Sequence, residues 1–416
     1  MKTVIAIDSL KGSLTSMEAG MAIREGILSA WGEHMEVVVR PLADGGEGTI
    51  DALVEGMNGV LKQIDVEGPA KATVTSRYGW IPNRKTAIIE CAESSGLSLV
   101  PTEDRNPLKT STIGMGQVIR NAVEYGVRNF IVGLGGSATN DCGTGMLTAL
   151  GYKFLDENGQ ELFGCGESLQ KICKIDTSNV MPELAECTFR VACDVTNPLC
   201  GELGASHVYG PQKGATEEMV AILDAGCHHF AEMTKEVLGI DNENLPGAGA
   251  AGGLGYTFAT YLGGELKSGI QIVLDEINLE EDLKDADFVV TGEGRLDHQT
   301  SMGKAPIGVA KLAKKHGATV IAFAGSVTND AKACNAAGID AYFPILRSIT
   351  TLDEAMQKDN ASYNMTHTAE QAFNLLKAVK FWYETLIYYQ KNPYADLLDI
   401  RIFYLPDHMI LLNFVF

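Results

Sequence analysis

The chain has 416 residues, 45% hydrophobic and 21% charged, a size that supports two or three domains with full cores. Its 33 Lys and Arg against 53 Asp and Glu give a formal net charge of −20, which excludes binding of nucleic acid or an anionic membrane through a basic face. An anionic substrate must therefore be held locally, by Gly amides, Lys and Arg set into an acidic body.

Short β-branched runs alternate with helical patterns, as in parallel α/β proteins. A strand is expected over 3–7, then a helix announced by the Thr15 and Glu18 capping box, with Ala19, Ile23 and Ile27 on one face. There follow a strand over 36–40, a helix over 49–56, a strand over 86–91, a helix over 114–125, a strand over 129–134 and a helix over 144–151. Beyond these come a strand over 188–195, a helix over 217–238, a strand over 287–291, a helix over 304–316, strands over 319–324 and 341–346, and a helix over 368–380. The two ends read as clean β-α units and the middle as irregular and Gly-rich. Residues 1–66 and 280–380 are thus expected to form one doubly wound parallel sheet, with 67–279 as a separate, inserted α/β domain and the site in the cleft between them.

Nine cysteines without a CxxC pair read as reduced thiols of a cytosolic protein, and Cys165 and Cys173 are too isolated from other soft ligands for zinc. The apolar run from Thr3 to Ile7 is too short for a signal-peptide core, and no run of about 18 apolar residues suggests a membrane span.

Ligands of open α/β sheets collect at strand carboxyl ends, and five predicted exits combine acid, glycine and hydroxyl: Asp8 to Ser13, ADGGEGT (43–49), GLGGSATNDCGTG (133–145), CDVTNPLCG (193–201) and TGEGRLDHQT (291–300). Any one is explained by turn or cap chemistry; all five together point to a site. In the 133–145 segment a strand meets Gly135, Gly136 and Ser137 and a helix follows, so backbone N–H groups and a helix N-terminus could receive a phosphate. It is neither a Walker A sequence nor a dinucleotide fingerprint. The one G-x-G-x-x-G, at Gly247, Gly249 and Gly252, has no strand before it and reads as a close-packed loop. Asp44, Glu47, Asp141, Asp194, Glu293 and Asp297 are expected in loops at the ligand edge, with Lys11, Lys213, Arg295 and Lys304 as candidate anion contacts. No HExxH occurs, and Ser137 lies in GGSAT, not in the G-x-S-x-G of a serine nucleophile.

The motifs IAIDSLKGSLTS, PLADGGEGT, GLGGSATNDCGTG, CDVTNPLCG, YGPQKGAT, GAAGGLG and TGEGRLDHQTSMGKAP, in this order, resemble the bacterial type 1 glycerate kinase family over about residues 1–378. The resemblance implies a cytoplasmic enzyme that uses ATP and Mg2+ to phosphorylate D-glycerate, chiefly to 2-phosphoglycerate, in organic-acid catabolism. It also implies a flavodoxin-like domain built from both chain ends with a second α/β domain inserted. A kinase for another small hydroxy acid, such as tartronate or erythronate, and a non-catalytic sensor on the same scaffold are the alternatives. The oligomeric state is left open, a homodimer being compatible.

Within that frame Gly135, Gly136, Ser137 and Thr139 are expected to hold the nucleotide phosphates, Asp8, Ser9 and Lys213 the substrate, and Asp44, Glu47 and Glu293 the metal. Asp194, Lys11 and Arg295 are expected to be catalytic, with Asp194 nearest the reacting hydroxyl because the strand before it is apolar and rigid. Residues 381–416 have no Gly and many aromatics; they are expected to form an extension without a catalytic role.

Overall fold

The computed structural model describes residues 1–46 and 48–391. Its strands are β1 (Lys2–Ile7), β2 (Glu36–Pro41), β3 (Val60–Glu67), β4 (Thr73–Ile81), β5 (Thr86–Glu90), β6 (Asn129–Gly133), β7 (Lys153–Leu155), β8 (Lys174–Asp176), β9 (Thr188–Ala192), β10 (Glu265–Lys267), β11 (Phe288–Leu296), β12 (Thr319–Val327) and β13 (Ala341–Pro344).

Thr3 to Ile7 of β1 are all buried, as befits a parallel strand covered on both faces. Its side chains alternate between two cores. Ile5 and Ile7 join Ile23, Ile27 and Trp31 of helix Ser16–Trp31 and Met365 and Phe373 of helix Lys358–Lys391. Val4 and Ala6 join Ile50 and Leu53 of helix Thr49–Gly56, Ile272 and Val273 of helix Gly269–Glu276, and Ile307 and Ala310 of helix Ala305–Lys315. The result is a five-stranded parallel sheet in the order β2-β1-β11-β12-β13. Counted within the sheet this is 2-1-3-4-5, the flavodoxin-like order of a doubly wound α/β fold.

A second sheet has the order β10-β9-β6-β5-β4-β3, with β5, β6, β9 and β10 parallel and β3 and β4 antiparallel. The pair β7 and β8 forms a separate hairpin. Residues 60–66, expected to belong with the first sheet, lie on β3, which pairs with β4, so the chain enters the second sheet at Val60 and not after residue 66. It leaves that sheet after Lys267. Ala87, Ile89, Phe130 and Val132 on one face make their own core. Ile81, Ile88, Ile131 and Ala192 on the other belong to the same core as Val4 and Leu53. The two sheets thus share one continuous apolar layer through helices Thr49–Gly56 and Gly269–Glu276.

The final helix is much longer than the expected 368–380, running over Lys358–Lys391. The Trp31 indole N–H donates to Phe373 O at 2.9 Å, and Lys377 Nζ donates to Ala30 O at 2.8 Å, fixing it along the first helix. The rest of the aromatic extension, 392–416, lies outside the described residues. Among the described residues no helix is long and apolar enough to cross a membrane, and all nine cysteines are free.

Candidate active site

Because β1 is apolar up to Ile7, the next residue, Asp8, is delivered to the carboxyl end of the sheet beside β11, where the strand order reverses. Its N–H donates to Gly292 O at 3.0 Å, and its Oδ1 accepts the Ser9 N–H at 2.7 Å. The residue is 8% exposed. Burial, reinforced by the charges of Asp44 and Glu293 and opposed by the Ser9 N–H and Lys11, pushes its carboxyl up to about 7. Lys11 is exposed and Ser9 half-buried.

Glu293 is not in a loop as expected. The strand continues past Thr291 because Gly292, at φ 153°, lies so close to β12 that a Cβ there would stand 1.8 Å from Phe323 O. Glu293 therefore sits on β11, and its Oε1 accepts a hydrogen bond from Thr300 Oγ1 at 2.6 Å. Burial raises the Glu293 carboxyl as well, against the Thr300 bond and Lys304. Thr300 is itself held by the Asp297 capping box at the start of the short helix His298–Ser301.

The ADGG loop after β2 joins the two sheets. Asp44 Oδ1 accepts the Gly46 N–H at 2.9 Å. Gly45 has φ +87° and no spare volume: a Cβ would lie 2.6 Å from Gly269 Cα and 2.8 Å from Ala192 Cβ, while one on Gly133 would lie 2.7 Å from Gly45 O. Glu90, ending β5, secures the far side of the loop by accepting the Ile50 N–H at 2.8 Å. Burial pushes Glu90 up to about 7. It was not among the expected site residues, although an acid closing the apolar run TAII is the same signal that identified Asp8.

Next to this loop lies GGSAT, with Gly135 placed so that a Cβ would be 3.6 Å from Gly46 Cα. Leu97 N–H donates to Gly136 O and Ala138 N–H to Ser95 O, each at 2.8 Å, which clamps the segment. The N–H groups of Gly135, Gly136 and Ser137 meet no acceptor among the described residues. Gly135 and Gly136 are exposed, whereas Ser137 and Thr139 are buried.

The structure corrects two expectations, those for Asp141 and Lys213, and places Asp194 and Arg295 at the exposed strand ends. Asp141 is not a ligand-edge carboxylate: it is fully buried and accepts Thr112 N–H (2.9 Å), Thr112 Oγ1 (2.8 Å), Gly143 N–H (3.1 Å) and Gly145 N–H (3.3 Å). It thereby occupies the N-terminus of helix Thr144–Ala149, which offers nothing to a phosphate. Lys213 is 2% exposed, enclosed beneath the GGSAT loop with Nζ donating to Thr139 O at 2.7 Å. Asp194 lies past the end of β9, exposed, with Oδ1 accepting the Gly269 N–H at 3.0 Å. Arg295 is exposed, with Asp297 at 3.9 Å as its ion partner among the described residues; the cation that favours the ionised Glu293 is Lys304.

Among the described residues no group of three or more His, Cys, Asp or Glu side chains is arranged to hold a metal by itself; Glu47 lies outside them. Magnesium needs only one or two carboxylates when substrate phosphates complete its shell. Asp44 and Glu293, both half-buried, raise the buried Asp8 carboxyl, a concentration of negative charge that suits a hard divalent cation.

A model of the glycerate kinase family matches residues 3–377. The chain belongs to the glycerate kinase family. It is 49% identical over 357 residues to the Glycerate 2-kinase of Escherichia coli K12, covering 86% of this chain and 93% of that one. Against the Glycerate kinase of Haemophilus influenzae it is 47% identical over 381 residues, 92% of this chain and 100% of the other. A crystal structure from Salmonella typhimurium LT2, described as a glycerate kinase 2, superposes with a TM-score of 0.85 at 44% identity, over 91% of this chain and 99% of that one. Membership of the glycerate kinase family makes the chain a kinase and the cluster around Asp8 its candidate active site.

Proposed function

We propose that this kinase transfers the terminal phosphoryl group of ATP to a hydroxyl of D-glycerate, chiefly giving 2-phosphoglycerate, in the cytosolic breakdown of organic acids. The observation that carries the reading is the juxtaposition of an acid cluster, the buried Asp8 with the half-buried Asp44 and Glu293, with a loop whose three N–H groups meet no acceptor among the described residues.

The Gly135, Gly136 and Ser137 amides bind the nucleotide phosphates, and Lys11 and Ser9 hold the substrate. Asp44 and Glu293, with Glu47 as the third carboxylate the sequence supplies, would hold Mg2+, which neutralises phosphate charge when bound. Asp8 is the better proton acceptor than Asp194. One of its oxygens is pinned by Ser9 and the other has no partner among the described residues, and a pKa near 7 suits a base working near neutral pH. In the transfer, the bond from the ADP oxygen to phosphorus breaks, the hydroxyl oxygen bonds to phosphorus, and the hydroxyl proton passes to Asp8. Thr300 and Lys304 keep Glu293 oriented and ionised.

Incubating the purified enzyme with ATP, Mg2+ and D-glycerate and resolving carbon-phosphorus couplings by NMR tests this directly. Coupling at C1 as well as C3 is expected, since both lie three bonds from a phosphorus on the C2 oxygen. Coupling at C3 and C2 without C1 reassigns the hydroxyl, and turnover of tartronate or erythronate in place of glycerate overturns the substrate.

A further inference from the structure

Lys213 is the only Lys or Arg among the described residues that is buried. It forms no ion pair there and donates one hydrogen bond, to Thr139 O. Asp141, the acid that acts on it, is spent on four donors of its own. A buried charge without a counter-charge is costly and calls for compensation by a bound anion or a loss of its proton. The turn that carries Lys213 is closely packed: Gly214 has φ +92°, and a Cβ on it would lie 2.3 Å from Arg105 O. The lysine is enclosed, and its ammonium is held through Thr139 O against the loop whose Gly135, Gly136 and Ser137 N–H groups meet no acceptor among the described residues.

From this geometry we infer that Lys213 is a positioning residue for nucleotide binding: its buried positive charge, linked through the Thr139 carbonyl, fixes the GGSAT loop and supplies the attraction for phosphate that the capped helix Thr144–Ala149 cannot. The inference rests on the proposed role of that loop. Thr139 Oγ1 is buried without a partner among the described residues, consistent with a segment held by its carbonyl and not by its hydroxyl. The titratable groups that act on the ammonium are Cys91, Asp141 and Cys227, and all three favour its charged form; burial outweighs them and lowers Lys213 to about 8.

The test uses the full chain, with ATP affinity measured by calorimetry and steady-state KM for ATP and glycerate. Lys213→Met keeps the volume and removes the charge. We expect ATP to bind about tenfold or more weakly, with the glycerate KM changed less than twofold. In the wild type ATP affinity falls as pH rises from 7.5 to 9.5, a range in which phosphate is already ionised (second pKa about 6), and this dependence disappears in the variant. A folded Lys213→Met protein with unchanged ATP affinity overturns the inference. Should that variant not fold, the wild-type pH series decides, and a flat series is equally fatal. Gly136→Val separates the two readings: if it leaves ATP affinity intact the loop itself is not the phosphate site, whereas weakened binding in Gly136→Val but not in Lys213→Met removes only the role of the lysine.

Discussion

Replacing Asp8 by Asn should make the unliganded protein more stable while nearly abolishing activity. The native carboxyl titrates near 7 against 3.8 in a model compound, so between those values the folded state holds a proton that the unfolded state has released. Each pH unit across that interval lowers stability by about 1.4 kcal/mol, amounting to about 4 kcal/mol above pH 7. Asn keeps the acceptor for the Ser9 N–H and carries no charge to bury beside Asp44 and Glu293. At pH 8 the variant should therefore gain on the order of 2 to 4 kcal/mol and melt higher by on the order of 5 °C. At pH 4, where the native carboxyl is already protonated, the gain should vanish. Paired melts at the two pH values in metal-free buffer, together with kcat at pH 8, provide the assay. Loss of a base typically costs about 10²–10⁴ in rate. A variant that is no more stable at pH 8 than the parent, or equally stabilised at both pH values, would refute the electrostatic argument. Normal turnover would refute the role of Asp8 as proton acceptor.

Gly45→Ala should cost at least about 3 kcal/mol, because a residue with φ +87° is strained and its methyl meets Gly269 Cα and Ala192 Cβ at less than contact distance; chemical denaturation measures it, and a loss under about 1 kcal/mol would mean the loop yields. Asp194→Ala should lower stability by about 1 kcal/mol through loss of its bond to the Gly269 N–H and leave kcat within about tenfold. A larger fall in kcat would restore Asp194 as the proton acceptor. Truncation after Lys380 should retain activity and improve solubility, since Phe373 and Lys377 already anchor the last helix to the first. A soluble, folded, inactive truncation would assign the remaining residues to the site.

What was legible in the chain was what parallel sheets impose locally. Runs such as VIAI before Asp8 and FIVG before Leu134 are buried on both faces and announce both the strand and the residue delivered at its end. The pair β3 and β4 was missed because the connection EGPAKA carries no two-residue hairpin signal and Val60 and Leu61, apolar yet exposed, blur the alternation. β10 spans three residues and has no pattern to read. At the site, Asp8, Asp44 and Glu293 were recognisable as acids at strand ends, but Asp141 has the same Asp-and-Gly surroundings and serves helix capping instead. Only three-dimensional packing separates those uses, just as nothing in GPQKGA reveals that its lysine is enclosed.

The apolar layer common to both sheets bears on how such an enzyme can be taken apart. Ile81, Ile88 and Ile131 of the inserted segment are covered by residues that belong to the flanking segments. Excising 60–267 as a module, or deleting it from the parent, would leave each fragment with half of a core exposed to water and prone to aggregate. The insertion has the topology of a guest and the energetics of a structural wall. Rigid-body opening of one sheet away from the other would have to break that layer.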